Sequence, residues 1–175
     1  MEYKGGQPME RIIDVAQYVI DYYALITRNC IDEMKLHKLL YFIQRECYAI
    51  TRNFMFTDDF EGWIHGPVSV EVRSSFIEFE KKVCLNKKTK RIREENAYIV
   101  RNVVEEYGRY DSWFLRNLSH EEISWINSRK GLSANDPGNV IMKKQDIAED
   151  SKKVRPFDSQ WGMYYDEFDD LEEYE

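Results

Sequence analysis

Two consecutive segments near the start of the chain repeat apolar residues every three or four positions, and this pattern constrains the fold most strongly. It predicts one helix over residues 11–27 and a second over residues 33–52, with Asp32 placed to cap the second helix. The apolar positions are Ile12, Ala16, Val19, Ile20 and Tyr23, then Leu36, Leu39, Leu40, Ile43, Cys47 and Ile50. Because each helix must bury its apolar face, we expect the two helices to pack against each other.

The remaining segments predict further helices and little strand. Pro67 suits the first turn of a third helix. The tetrapeptide SHEE at residues 119–122 has the S-x-x-E form of a capping box, so a helix is expected to follow it to about Arg129. Three other helices are expected over residues 95–107, 111–118 and 143–150, and loops over residues 54–65, with one short extended segment, and 131–138. We therefore predict a mainly α, single compact helical domain.

Composition agrees with this class. A chain of 175 residues can bury a core without disulfides, and 8 Gly and 4 Pro are too few for a turn-rich β-sandwich. No apolar run is long enough to span a membrane, and the polar start lacks the apolar core of a signal peptide. The three cysteines, at positions 30, 47 and 84, lack CxxC spacing. These features predict reduced thiols in a cytoplasmic protein.

The net charge of −7 lies at the C-terminus. Residues 156–175 hold eight acids and no Lys or Arg, whereas residues 1–155 carry 25 basic and 24 acidic groups. We therefore divide the chain into a body, residues 1–155, and an acidic tail, residues 156–175. The absence of a basic surplus argues against a general nucleic-acid binder.

The acidic tail also contains six aromatics, namely Phe157, Trp161, Tyr164, Tyr165, Phe168 and Tyr174. Aromatics supply contact area and acids steer a basic partner, so the tail is a candidate docking segment. The alternative is a frayed terminus whose aromatics pack partly on the body. A separate stretch, residues 81–95, has seven basic positions and is either an exposed linker between helices or a basic docking loop.

Common catalytic signatures do not occur. The chain contains no phosphate-binding glycine loop, no HExxH, no GxSxG and no zinc-ligand spacing of Cys and His. His37, His65 and His120 each stand alone in the sequence. They could converge with carboxylates such as Glu121 into a hydrolytic or metal site, but isolated helix-surface or capping histidines are more common. We predict no catalytic residues, no metal and no cofactor.

One bend has more specific chemistry. The segment FEGWIHGPV at residues 60–68 places two glycines, a proline, Trp63 and His65 just before the predicted third helix. Gly66 and Pro67 restrict the backbone there and aim the two ring side chains in defined directions. The free amides at the opening of that helix could hold an anion or a carboxylate. A purely structural corner would need the same residues.

Three segments in order resemble the SocA-like, Panacea-domain family. The segment MKLHKLLY at 34–41 is similar to the family's KLxKLLY helix. The bend at 60–68 is similar to its F-x-A-W-x-x-GPV segment, with Gly62 in place of Ala. SHEEISW at 119–125 is similar to its SH-x-E-x-PW segment, with Ser124 in place of Pro and Arg129 following. The resemblance extends over about residues 12–150.

The resemblance implies a mostly helical domain of bacterial, phage and prophage proteins that act as antitoxins. Members bind and neutralise a toxin encoded beside them, and one is an adaptor that delivers its toxin to a AAA+ protease. We therefore expect a cognate toxin protein as partner, a AAA+ protease as a further candidate partner, and no direct contact with nucleic acid or membrane. The expected partner-binding residues are Trp63, His65, Gly66, Pro67, His120, Trp125, Trp161, Tyr164, Tyr165 and Phe168.

Two alternatives remain open at this stage. The protein could be a phage- or prophage-encoded inhibitor of a host protein unrelated to any toxin. It could also be a hydrolase that uses His65 and His120 with nearby carboxylates as general acid and base, which would require those groups within hydrogen-bonding reach of one another.

Overall fold

The computed structural model describes residues 9–84 and 92–168, and within them it is mainly α-helical, as predicted. Seven helices and two small two-stranded antiparallel sheets occur in these residues. In chain order they are α1 (Ile12–Thr27), α2 (Glu33–Thr51), β1 (Glu61–Trp63), β2 (Gly66–Val68), α3 (Val70–Cys84), α4 (Glu94–Tyr107), α5 (Ser112–Ser119), α6 (Ile123–Ser128), α7 (Lys144–Ser151), β3 (Phe157–Asp158) and β4 (Met163–Tyr164). Of the basic stretch at residues 81–95, which was predicted to be a linker or docking loop, residues 85–91 lie outside the described residues, and its two ends belong to α3 and α4.

Helix α2 is the centre of the fold. Every residue from Lys35 to Cys47 is buried, because α1, α4, α5, α7 and the β1–β2 hairpin surround the helix. The Asp32 carboxylate accepts the Lys35 N–H at 2.9 Å, which confirms the predicted N-cap. The helix ends where Arg52 adopts a left-handed conformation with φ of 60°. Helix α1 packs against α2 as its apolar stripe predicted.

The start of α3 corrects the prediction made from Pro67. Pro67 lies in β2, where it is the antiparallel partner of Gly62 in β1. Helix α3 begins three residues later at Val70, and the Ser69 hydroxyl accepts the Val72 N–H at 3.3 Å. Pro67 fits this two-stranded hairpin because a proline at an edge strand leaves no partner carbonyl unsatisfied.

The predicted capping box is also wrong. Ser119 is the last residue of α5, and its hydroxyl donates to the Arg116 carbonyl at 2.7 Å instead of capping the next helix. Helix α6 begins at Ile123, and the first amides of that helix, from Ile123 and Ser124, donate to the Asp150 carboxylate at 2.7 and 2.9 Å. A residue on α7 therefore caps α6, which no local motif could indicate.

The C-terminal segment lies on α4. Asp158 is buried and accepts a hydrogen bond from the Tyr98 hydroxyl at 2.5 Å. The Asn102 side chain accepts the Ser159 N–H at 3.1 Å and donates to the Tyr165 hydroxyl at 3.2 Å. These contacts attach residues 156–168 to the body. Over the described ranges, no helix has the combined length and apolarity needed to cross a membrane.

Candidate functional site

Lys38 lies where α2, the β1–β2 hairpin and the end of α5 meet. Its side chain is only 1% exposed, and Nζ donates to the Pro67 carbonyl at 3.2 Å. Gly66 has a φ of 104°, and a Cβ at this position would lie 2.5 Å from Ser119 Oγ and 2.7 Å from Lys38 Cε. Only glycine therefore allows the hairpin to approach both helices this closely.

Helix α6 holds the other strand of the hairpin. The Trp125 indole N–H donates to the Trp63 carbonyl at 2.9 Å, and Arg129 donates to the Gly62 carbonyl at 3.2 Å. The Arg129 guanidinium also lies over the Trp125 ring, 5.4 Å from its centroid. The three sequence segments singled out above therefore converge, with the hairpin anchored between α2 and α6.

A groove of about 250 Å³ opens between the first turns of α2 and this hairpin. Trp63, Ile64 and Val68 contribute apolar walls, and Lys38 lines the groove together with His65 and Arg73. The Arg73 guanidinium lies 5.2 Å from the centroid of the Trp63 ring and bonds Glu33 at 3.0 Å. The groove thus combines an aromatic wall with cationic side chains, and Glu33 is the carboxylate among the residues that line it.

The tip of the hairpin faces solvent beside α5. His65 is exposed, accepts a hydrogen bond from Arg116 Nε at 3.4 Å, and meets the Trp113 ring edge to face at 5.5 Å. Trp113 is 58% exposed and the neighbouring Phe114 is 43% exposed. We call His65, Trp113, Phe114 and Arg116 the α5 surface. Exposed aromatic and arginine side chains in one place are typical of protein–protein contact surfaces.

Burial determines the charge states beneath this surface. It lowers the pKa of the Lys38 ammonium to about 7, with Arg116 adding to the shift and Asp32 and Glu33 opposing it. Burial also lowers the pKa of His37 to about 3, so its imidazole is neutral. Since His37 Nδ1 accepts the Ser69 N–H at 3.2 Å, its proton is on Nε2, 3.4 Å from Glu33.

His120 is placed for packing. Its ring stacks on Trp125 with centroids 3.6 Å apart, and its buried Nε2 has no hydrogen-bond partner among the described residues. Burial, then the nearby charges of Arg116 and Lys38, lower the pKa of His120 to about 4. Within residues 9–84 and 92–168, neither His65 nor His120 bonds a carboxylate, and no three His, Cys, Asp or Glu side chains are grouped to hold a metal.

Comparison with known families identifies the family of this chain. Residues 36–126 match the family described as antitoxin SocA-like, Panacea domain, which is more than half of the 175 residues. The chain belongs to this family. The matched range contains α2 from Leu36 onward, the hairpin and the segment ending in Trp125. It therefore covers two segments of the resemblance completely and residues 36–41 of the first. No curated protein sequence and no solved structure gives a significant match to the Panacea chain.

The protein also contains a buried polar network that the sequence did not reveal. Arg45 on α2 bonds Glu122 at 2.7 Å and Glu46 at 3.0 Å. The Tyr41 hydroxyl lies 3.1 Å from Glu122 and 3.0 Å from Asp150. Charged residues on a helix normally indicate a side that faces solvent. The one sequence signal for a buried network was that Arg45 and Tyr41 are four residues apart, on the same side of α2.

The four tail residues of the predicted binding set have different environments. Trp161 is 72% exposed at the turn between β3 and β4, and Phe168 lies against it edge to face at 6.3 Å. Tyr164 lies under the Arg155 guanidinium at 3.9 Å, and Tyr165 is hydrogen-bonded to Asn102. The tail therefore packs on the body through some aromatics and leaves Trp161 open to solvent.

Proposed function

We propose that this Panacea-domain protein is an antitoxin that neutralises a cognate toxin protein by direct contact. The observation that carries the proposal is the α5 surface, where large apolar rings remain exposed beside a rigidly anchored hairpin. Family membership supports an antitoxin-like role and a protein partner. In this proposal the protein acts in the cytoplasm and contacts neither nucleic acid nor membrane.

The geometry of the α5 surface favours binding over catalysis. His120 and Trp125 pack beneath the hairpin, Gly66 and Pro67 are buried within it, and Trp63 is half-buried beside the groove. His65 and its neighbours on α5 face outward. A side chain that packs against the framework contributes to binding by positioning, and one that faces solvent contributes by contact. We therefore assign partner contact to His65 and the α5 aromatics and a supporting role to Gly66, Pro67, His120 and Trp125. Trp63 both anchors the hairpin and forms a wall of the groove.

The tail is proposed as a second contact. We retain the division into a body of residues 1–155 and a tail of residues 156–175, with Trp161 and Phe168 as the contact residues. Tyr164 and Tyr165 orient the β3–β4 turn on α4. The acidic side chains of the tail would steer a basic toxin, and the exposed Trp161 ring would supply contact area.

Neutralisation could follow two routes. The partner is masked while bound, or it is delivered by this protein to a AAA+ protease. The same surface would serve an inhibitor of a host protein encoded by a phage or prophage. A hydrolase using His65 and His120 has no specific support, since the described residues show no carboxylate bonded to either imidazole.

Co-expression with the protein of the adjacent reading frame tests the proposal. We expect the chain to restore growth against that protein and to co-purify with it. Changing Trp113 and Phe114 together to Ala should abolish both effects with the thermal melt unchanged. Leu25→Ala is the matched control, because Leu25 is an equally exposed apolar side chain on α1. Full neutralisation by the double variant would remove the α5 surface from the proposal.

A further inference from the structure

Two buried lysines on α2 have different partners. Lys35 is 8% exposed, and its ammonium donates to the Tyr23 hydroxyl at 3.2 Å and the Gly108 carbonyl at 3.1 Å. Lys38 is more deeply buried, and the Pro67 carbonyl is its single hydrogen-bond acceptor in the described part of the chain. An ammonium has three N–H donors, so Lys38 retains capacity for a further acceptor.

The groove described above leads to Lys38. Arg73 and His65 line the same groove, and Arg116 is close enough to lower the pKa of Lys38. The carboxylate that lines it, Glu33, is already bonded by Arg73 at 3.0 Å and lies 3.4 Å from His37. Lys38 and Arg73 thus outnumber the one carboxylate among the lining residues, and the Lys38 ammonium is charged below its pKa of about 7. A buried cation without a carboxylate partner is costly, and an incoming anion would offset that cost.

We infer that the groove is a carboxylate-binding site, in which Lys38 receives an aspartate, a glutamate or the C-terminal carboxylate of the protein partner. The inference rests on the proposed function, and it identifies the chemistry by which the partner is recognised. Charge complementarity argues for an anion, and the apolar walls from Trp63, Ile64 and Val68 argue for one carried on a peptide.

A carboxylate fits this groove better than a phosphate does. The volume of about 250 Å³ accommodates one or two side chains, and Lys38, whose ammonium has spare donors, is among the residues that line it. A phosphate dianion is normally held by several donors in direct contact, often by a bidentate arginine. Here Arg73 already bonds Glu33 at 3.0 Å, and Arg116, which bonds His65 and Asn117, is not among the residues that line the groove.

The isolated protein provides the first test, using acetate as the probe. In protein labelled with ¹³C at lysine Cε, we expect acetate at constant ionic strength to shift the Lys38 signal saturably and to raise its titration midpoint. The Lys35 signal should not move. Acetamide, which has the same shape without the charge, should have no effect. Equal responses to acetate, acetamide and chloride would overturn the inference, as would phosphate binding about tenfold more tightly than acetate.

Variants provide the second test. Lys38→Met keeps the length and apolar stem of the side chain, and we expect it to weaken acetate binding about tenfold or more, the usual consequence of losing a charged hydrogen bond. Arg73→Gln, at the exposed edge of the groove, should weaken it less. Lys35→Met is the matched control and should change it less than twofold. Unchanged acetate binding by Lys38→Met would overturn the inference.

The two proposals fail in different ways. Loss of the acetate effect with intact toxin neutralisation would remove the carboxylate site and leave the antitoxin role. Specific acetate binding, together with failure to neutralise the protein of the adjacent reading frame, would keep the carboxylate site and remove the antitoxin role. A second copy of the chain is the remaining candidate occupant of the groove, and sedimentation of the full chain tests it. A dimer that is lost in Lys38→Met and on neutralising the acids beyond residue 166 would assign the groove to a second copy. That result would overturn the assignment to a toxin.

Discussion

The Asp150 carboxylate accepts the backbone N–H of Ser124 at 2.9 Å and so joins α7 to the first turn of α6. The same carboxylate accepts the Ile123 N–H and lies 3.0 Å from the Tyr41 hydroxyl on α2. One side chain therefore satisfies two free helix amides and links three helices. Since Trp125 on α6 holds the hairpin, the position of the candidate site depends on this carboxylate.

Replacing Asp150 should therefore be strongly destabilising. Asp150→Ala leaves the Ile123 and Ser124 amides without their acceptor, and we expect a loss of about 3 kcal/mol in the free energy of unfolding. Urea denaturation measures it. Glu149→Ala is the control, because Glu149 pairs with exposed Lys152 at the surface, and its loss should be below about 0.5 kcal/mol. Similar losses for both variants would contradict the capping role.

Removing Arg45 should destabilise the protein by leaving buried carboxylates without their guanidinium partner. Arg45→Met leaves Glu46 and Glu122 buried without their guanidinium, and breaking such a pair typically costs about 3–5 kcal/mol. Because Lys153 still bonds Glu122 at 2.9 Å, we expect a loss near the lower end of that range. Burial already raises the pKa of Glu46, so the deficit should shrink as pH falls and the carboxylates become protonated. Denaturation at pH 5 and pH 8 checks this, with exposed Lys152→Met as control. A deficit that grows toward pH 5 would be inconsistent with the network.

Gly66 should be intolerant of a side chain. In Gly66→Ala the new Cβ would meet Ser119 Oγ and Lys38 Cε and would also adopt an unfavourable φ, so we expect a loss above about 2 kcal/mol. Gly131→Ala shares the positive φ, at 86°, but has no atom within 4 Å of the added Cβ. We expect Gly131→Ala to lower the free energy of unfolding by about 1 kcal/mol, which measures the effect of the backbone conformation alone. Equal thermal shifts for both would show that the hairpin does not pack closely.

Stability should depend on pH through Lys38. Its pKa falls from an ordinary 10.5 to about 7 in the folded protein, so between these values the unfolded chain binds more protons. The stability of the natural chain should therefore rise with pH relative to Lys38→Met, by at most about 1.4 kcal/mol per pH unit. Comparing the two proteins cancels the other titrating groups. Parallel stability curves from pH 7 to pH 10 would refute the shifted pKa.

The tail should separate into an anchoring and a contacting part. Asp158→Ala removes the bond to Tyr98 and the bonds to the amides of Gln160 and Trp161, so the melting temperature should fall. Trp161→Ala removes an exposed ring and should leave the melting temperature within about a degree, because exposed substitutions rarely affect stability. If partner affinity also stays unchanged in Trp161→Ala, the Trp161 ring has no docking role.

Local sequence was sufficient for the long helices. The stripes of α1 and α2, the Asp32 cap and the loop containing Gly131 depend on residues near each other in the chain, and each was predicted close to its observed place. The two errors share a physical cause. Pro67 and the segment SHEE have local preferences for a helix start, yet the strand pairing with Gly62 and the distant Asp150 carboxylate outweigh them.

The sequence by itself determined the mainly α class, the family and the three segments that form the site, because periodicity and motif spacing are properties of neighbouring residues. Only the tertiary structure decided which charged side chains are buried. Lys38 and Arg45 read as surface residues of a helix, and both are enclosed because elements distant in the chain pack around α2. Burial changes the energy of a charge far more than sequence neighbours do, so the groove and its cation could be found only in the folded protein.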